Sequence, residues 1–181
     1  KFIPVYGYFD DNTCTFEKVN LPDKIGEINT DNLVFNNLKK IGNAVFAQAL
    51  MRDGDDFHYF LYHHDVENDL FCLNRLSPNI DSYIVKDADI YLCEVEANSW
   101  FEKNKYQSAT AKIWKTDLSF STSNVVHTID LKSDFNLRSP SLININDDLS
   151  LIYIDDGDES LTLHNLADDK ITTLADGIMD W

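Results

Sequence analysis

The chain has 181 residues, 44% of them hydrophobic, with Phe 11, Tyr 8 and Trp 3, and a formal net charge of -16 at pH 7. That length and aromatic content suit a single domain, 1–181, with a real core rather than a disordered segment. The charge argues against nucleic-acid binding and anionic membrane surfaces, and no apolar run approaches the roughly 20 residues of a membrane helix.

Strand signals dominate along the chain, as period-2 alternation, β-branched and aromatic residues, and recurrent Asp/Asn/Gly turns. Residues 2–9 and 13–21 read as a hairpin across Asp10-Asp11-Asn12. Residues 30–41 are the best helix candidate, with Thr30 as N-cap and Leu33, Leu38 and Ile41 as apolar points; a strand plus loop is the alternative. Strands at 44–52 and 57–64 flank Asp53-Gly54-Asp55-Asp56, and a strand at 70–76 follows Val66-Glu67-Asn68-Asp69. Strands at 89–96 and 110–118 bracket a polar insertion, 97–109, and another strand follows at 125–131. The last three strands are 150–154, 160–165 and 170–174.

These strands fall into groups at 44–76, 89–131 and 141–174. Three or four antiparallel strands per roughly 40–45 residues is the period of a propeller blade. The fold class predicted is therefore all-β and antiparallel, a small β-propeller-like array of about four blade-type units. A β-sandwich or meander sheet is the alternative, since strands at 8–12-residue spacing satisfy it too.

Within the last group, Ser139-Pro140-Ser141-Leu142, Asp147-Asp148, residues 149–154, Leu161-Thr162-Leu163 and Lys170-Ile171-Thr172-Thr173-Leu174 with Gly177 follow one another in order. This run resembles a blade of the TolB-like and WD40-like propellers. The resemblance covers about 40 residues, and lacks a Gly after Asp148 and a closing Trp-Asp pair. It implies fold class only, because propellers host enzymes and passive scaffolds alike.

Three cysteines, Cys14, Cys72 and Cys93, have no framework spacing and read as reduced strand residues of a cytoplasmic protein. The start Lys1-Phe2-Ile3-Pro4 has no long apolar signal-peptide core. No catalytic residue, cofactor or metal is expected. There is no G-x-S-x-G elbow, and Gly 6 leaves no room for a phosphate-binding fingerprint. His58 and His64 are near 20 Å apart along an extended strand at ~3.3 Å per residue, and His63 faces the other way, so structural histidines are favoured over zinc. Asp155-Asp156-Gly157-Asp158-Glu159 and Asp53-Gly54-Asp55-Asp56 lack the calcium-loop pattern and read as hairpin turns.

Residues 139–181 hold ten acids against one base, Lys170, a local charge of -9. The functional expectation is a non-enzymatic acidic binding protein. It resembles, in general character, the immunity proteins of bacterial toxin systems, which neutralise a cationic nuclease toxin by covering its active cleft. The partner would be a basic protein, held by Asp155, Asp156, Asp158 and Glu159, then by Asp53, Asp55 and Asp56, with Trp100 and Phe101 as an apolar anchor. The alternatives are a propeller-type glycoside hydrolase or sugar-binding domain, whose acids could lie on separate blades, and a scaffold piece of a larger propeller.

Overall fold

The structure is a computed structural model, described for residues 5–10, 15–77, 80–102, 105–155 and 159–177. Among the described residues every regular element is a strand, apart from one 3-10 turn, and no sheet closes into a barrel. The protein is all-β and antiparallel. Contacts divide the chain into two units, Lys1–Pro78 and Asn79–Trp181.

The first unit begins with two small ribbons, β1 (Gly7–Asp10) with β2 (Thr15–Lys18) and β3 (Lys24–Ile25) with β4 (Ile28–Asn29). Gly7 is needed at the open end of the first ribbon, opposite Lys18, since a Cβ there would collide with the Glu17 carbonyl and the Phe16 ring. After a 3-10 turn at Thr30–Asn32 come β5 (Leu33–Ile41), β6 (Ala44–Asp53), β7 (Asp56–Asp65) and β8 (Leu70–Leu76), a four-stranded meander in chain order. The helix candidate at 30–41 is thus one 3-10 turn and a strand. Period 2 wins over period 3.6 there: Leu33 (3%) and Phe35 (5%) are buried on either side of Val34, which is 53% exposed. Phe35 stands edge-on to both Tyr6 and Tyr62, with ring centroids 5.0 and 5.1 Å away, and the Tyr6 hydroxyl donates to the Leu33 carbonyl at 3.2 Å. Val45, Ala47, Ala49 and Phe60 complete that core. The opposite face of the sheet carries buried Phe46, Leu61 and His63.

The second unit is a seven-stranded sheet in chain order: β9 (Ile80–Lys86), β10 (Asp89–Glu102), β11 (Lys105–Asp117), β12 (Ser123–Ile145), β13 (Asp148–Asp155), β14 (Ser160–Asn165) and β15 (Ile171–Ala175). In the polar insertion predicted at 97–109, residues 97–102 and 105–109 are not loop but strand, the far half of the β10–β11 pairing, with Trp100 opposite Tyr106. Ladder bonds are made by backbone, so polar side chains do not stop them. Register shifts between Ala97 and Glu102 absorb the irregularity as bulges.

The strand expected at 125–131 is the first third of β12, which pairs with β11 as far as Arg138 and with β13 from Leu137 onward. It therefore joins the second and third strand groups into one sheet. The sheet folds over at β12, because β9 returns to its far half: the Leu142 amide donates to Ser82 Oγ at 2.8 Å, and Lys86 Nζ donates to the Asp147 carbonyl. Cys93, Val95, Ala109, Ala111 and Ile113 from one half pack with Leu142 and Leu151 from the other. Leu137 lies at the fold with no exposed surface. Each half, with its share of β12, is a four-stranded meander like β5–β8.

Candidate binding surface

The turns of this fold demand positive φ, and acidic residues meet that demand. Asp87 and Ala88 have φ of 52° and 66° between β9 and β10, and Asn146 and Asp147 have 52° and 67° between β12 and β13. Consecutive left-handed residues are what a two-residue hairpin turn matched to strand twist requires, and Asn and Asp tolerate them best. Gly54, at φ 62°, serves the β6–β7 turn. The acidic turns therefore have a structural origin before any functional one.

Strand register separates the acids of residues 139–181 into two ends. Asp155 closes β13 opposite Ser160, and Glu159 is exposed beside it at φ 48°. Asp156 and Asp158 lie outside the described residues. Asp147, Asp148, Asp168 and Asp169 sit at the other end, since Asn165 at the close of β14 pairs with Ser150 at the start of β13. Asp87 joins that second end, beside Lys86, which bonds the Asp147 carbonyl. Among the described residues, the acids counted in that total are therefore divided between two strand ends. The grouping of Asp147, Asp148 and Asp168 with Asp87 depends on register, and linear charge counting misses it.

Asp53, Asp55 and Asp56 form the exposed tip of the β6–β7 hairpin in the first unit, where Asp53 pairs with Asp56. Arg52 tempers their charge: its guanidinium reaches Asp55 at 3.9 Å and its Nε donates to the Gly54 carbonyl at 2.9 Å. Trp100 and Phe101 belong to β10, so they are strand residues rather than loop residues; their side chains lie outside the described residues.

Lys112 and Lys115 of β11 are tied down within the sheet. Lys112 Nζ meets Glu96 at 2.7 Å and Lys115 Nζ meets Asp89 at 2.6 Å, and these hydrogen bonds raise both ammonium pKa values. Asp117 is held low by its own turn, accepting first from the Ser121 and Ser119 hydroxyls and then from the Ser121 amide. The two lysine–carboxylate pairs offset one another within the sheet, whereas Asp147, Asp148, Glu159 and Asp168 are exposed at turns.

His63 and His64 are packing residues. His58 Nδ1 accepts from Arg75 at 3.0 Å, His63 stacks on Phe46 at 4.8 Å, and His64 stacks on Phe71 at 4.0 Å. His64 Nε2 lies 3.4 Å from Asp69 Oδ1 without hydrogen-bond geometry, whereas His164 Nε2 donates to Asp169 Oδ1 at 2.5 Å and leaves Nδ1 buried without a partner among the described residues. Both pairs are five residues apart, and both aspartates have positive φ. The amide two residues after each histidine donates to the preceding hairpin, Val66 to Asn43 and Leu166 to Leu149. The two turns are thus one motif used twice. Cys93 is a buried thiol pushed up to about 12 by burial and then by Asp81, so it stays protonated; Cys72 is half-buried, and Cys14 lies outside the described residues. Compared with models of known protein families and with curated proteins, the chain matches none.

Proposed function

We propose that the protein is a non-enzymatic acidic inhibitor of the immunity type, which binds a cationic protein and covers its active cleft. The observation that supports this most is the split between lysines paired on the sheet and carboxylates presented at the turns. Such turns offer fixed negative charges at strand ends, and a fixed charge loses little freedom when a partner cation meets it. A nuclease toxin is the partner class that best suits the reading, because carboxylates in a row mimic the phosphates of its substrate. A net charge of -16 would speed the encounter by long-range steering and weaken it as salt rises. The proposed compartment is the cytoplasm. On this reading the three four-stranded meanders are blade-type units of a propeller-like array that holds the turns apart.

The test is affinity purification from the source cell, followed by native mass spectrometry for a stoichiometric basic partner. Two charge-reversal sets then locate the surface: Asp155→Lys with Glu159→Lys, and Asp147→Lys with Asp148→Lys and Asp168→Lys. One set should weaken binding of the isolated partner and flatten its salt dependence, while the other mainly slows association. If both sets, and a third at Asp53, Asp55 and Asp56, leave affinity and salt slope unchanged, the acids only keep the protein soluble.

A further inference from the structure

An apolar row crosses one face of the four-stranded meander in the first unit. Register sets Val34 beside Leu50, Leu50 beside Tyr59, and Tyr59 beside Leu76, one residue from each of β5, β6, β7 and β8. Directly opposed residues of antiparallel strands point to the same face, so the four side chains form one row. Their neighbours along the strands point the other way, into the core with Phe35, Ala49 and Phe60. Val34 is 53% exposed and Tyr59 38%, while Leu50 and Leu76 are half-buried. The next row on this face is mostly polar, with Asn36, Gln48 and Asn74 around buried Leu61. Single exposed apolar residues are ordinary, whereas a contiguous row across four strands marks a surface that another molecule covers.

The charge bordering the row says what kind of molecule that is. Asp53 and Asp56 lie three residues beyond Leu50 and Tyr59 along β6 and β7, about 10 Å at ~3.3 Å per residue, and Asp55 shares their exposed turn. Arg52 is already engaged, with its guanidinium over the Phe57 ring at 5.8 Å and within 3.9 Å of Asp55, so it offsets only one of the three carboxylates. A second copy would bring an identical acidic turn and a further charge of -16, and is repelled. Nucleic acid and anionic membranes are repelled in the same way. A purely apolar partner would leave the carboxylates without counter-charge.

We propose that this row is a docking surface for the cationic protein, an inference that rests on the inhibitor reading and gives it an apolar contact. The partner sets an aliphatic or aromatic side chain against Leu50 and Tyr59, and Lys or Arg about 10 Å away against Asp53, Asp55 and Asp56. Such a surface has the usual anatomy of a specific interface, an apolar centre with a charged rim. The division of labour follows from that anatomy. Apolar and aromatic anchors at the centre hold the complex together, and rim charges mainly set how fast it forms.

The probe is the basic protein that co-purifies with the full chain, isolated and then returned to it. Hydroxyl-radical footprinting should find Tyr59 protected in the complex, and Phe16, an exposed ring elsewhere in the same unit, oxidised as in the free chain. Val34→Ser with Tyr59→Ala, both at exposed positions, should weaken affinity about tenfold or more, mainly through faster dissociation, with the melting temperature close to the parent's. Asp53→Lys with Asp55→Lys should instead slow association and flatten its salt dependence. If no basic protein co-purifies, the inhibitor reading and this surface fall together. If one does, but leaves Tyr59 as reactive as in the free chain or binds the Val34 and Tyr59 double variant like the parent, only this surface is overturned. It is overturned as well if the full chain sediments as a dimer that Tyr59→Ala dissociates, since a second copy would then cover the row.

Discussion

Replacing Leu137 with Ala tests whether β12 makes one cooperative unit of its two meanders. Leu137 is fully buried, and it sits where the β11 and β13 ladders meet on one strand, opposite Tyr106 on one side and Asp155 on the other. Truncating a fully buried Leu removes its transfer free energy and leaves a cavity, and the usual cost is ~2–5 kcal/mol. A value of about 3 kcal/mol, with a urea slope of about 2 kcal/mol/M, lowers the unfolding midpoint by about 1.5 M. Tryptophan fluorescence is a suitable probe, because Trp100, Trp114 and Trp181 all fall within Asn79–Trp181. Hydrogen exchange should show the same loss of protection for β10 amides as for β14 amides, since both strands depend on β12. Ile145→Ala, on the same strand at 37% exposure, is the control and should shift the midpoint far less. Loss of protection confined to one side of β12, or equal effects of the two variants, would refute the account of a single folded-over sheet.

Three further outcomes are expected. Burial on the Phe46 side, opposed by Asp65 and reinforced by His64, holds the His63 pKa below its ordinary 6.5. His63 thus adds stability above pH 6.5 that is lost as the pH falls through its lowered folded value; His63→Phe should flatten that part of a Tm-against-pH curve. The Cys93 thiol, ordinarily near 9 and here about 12, should resist a thiol reagent in the native protein and react once urea is added. Its contribution to stability is complete below pH 9 and lost as pH rises toward 12, so Cys93→Ala should reduce the alkaline decline. Asp169→Ala both removes the acceptor of His164 and replaces, at φ 58°, a residue whose side chain tolerates the left-handed region with one that does not, so it should destabilise by about 1–3 kcal/mol in thermal or urea unfolding, whereas Asp169→Asn should lose less.

The sequence by itself determined the secondary-structure type, because burying one face of a strand and exposing the other writes period-2 alternation directly into the chain, as at Leu33, Val34 and Phe35. The closing strands at 160–165 and 170–174 match β14 and β15 closely, and the Asp53-Gly54-Asp55-Asp56 turn is where its residues require it. The net charge is also a property of sequence alone. Tertiary structure decided what depends on pairing. Trp100 and Phe101 read as loop because their neighbours are polar, but backbone ladders continue through polar residues. The long strand β12 was legible only in its first part, because no local signal says that one strand will leave β11 and take up β13. The acids of residues 139–181 look like one patch in the linear chain. Register sends Asp147 and Asp168 to one end of the sheet and Asp155 to the other, since antiparallel strands return alternate turns to opposite ends. The hydrogen bond from Arg75 to His58 was likewise invisible, because it forms only across the β7–β8 pairing, between residues 17 apart in the chain.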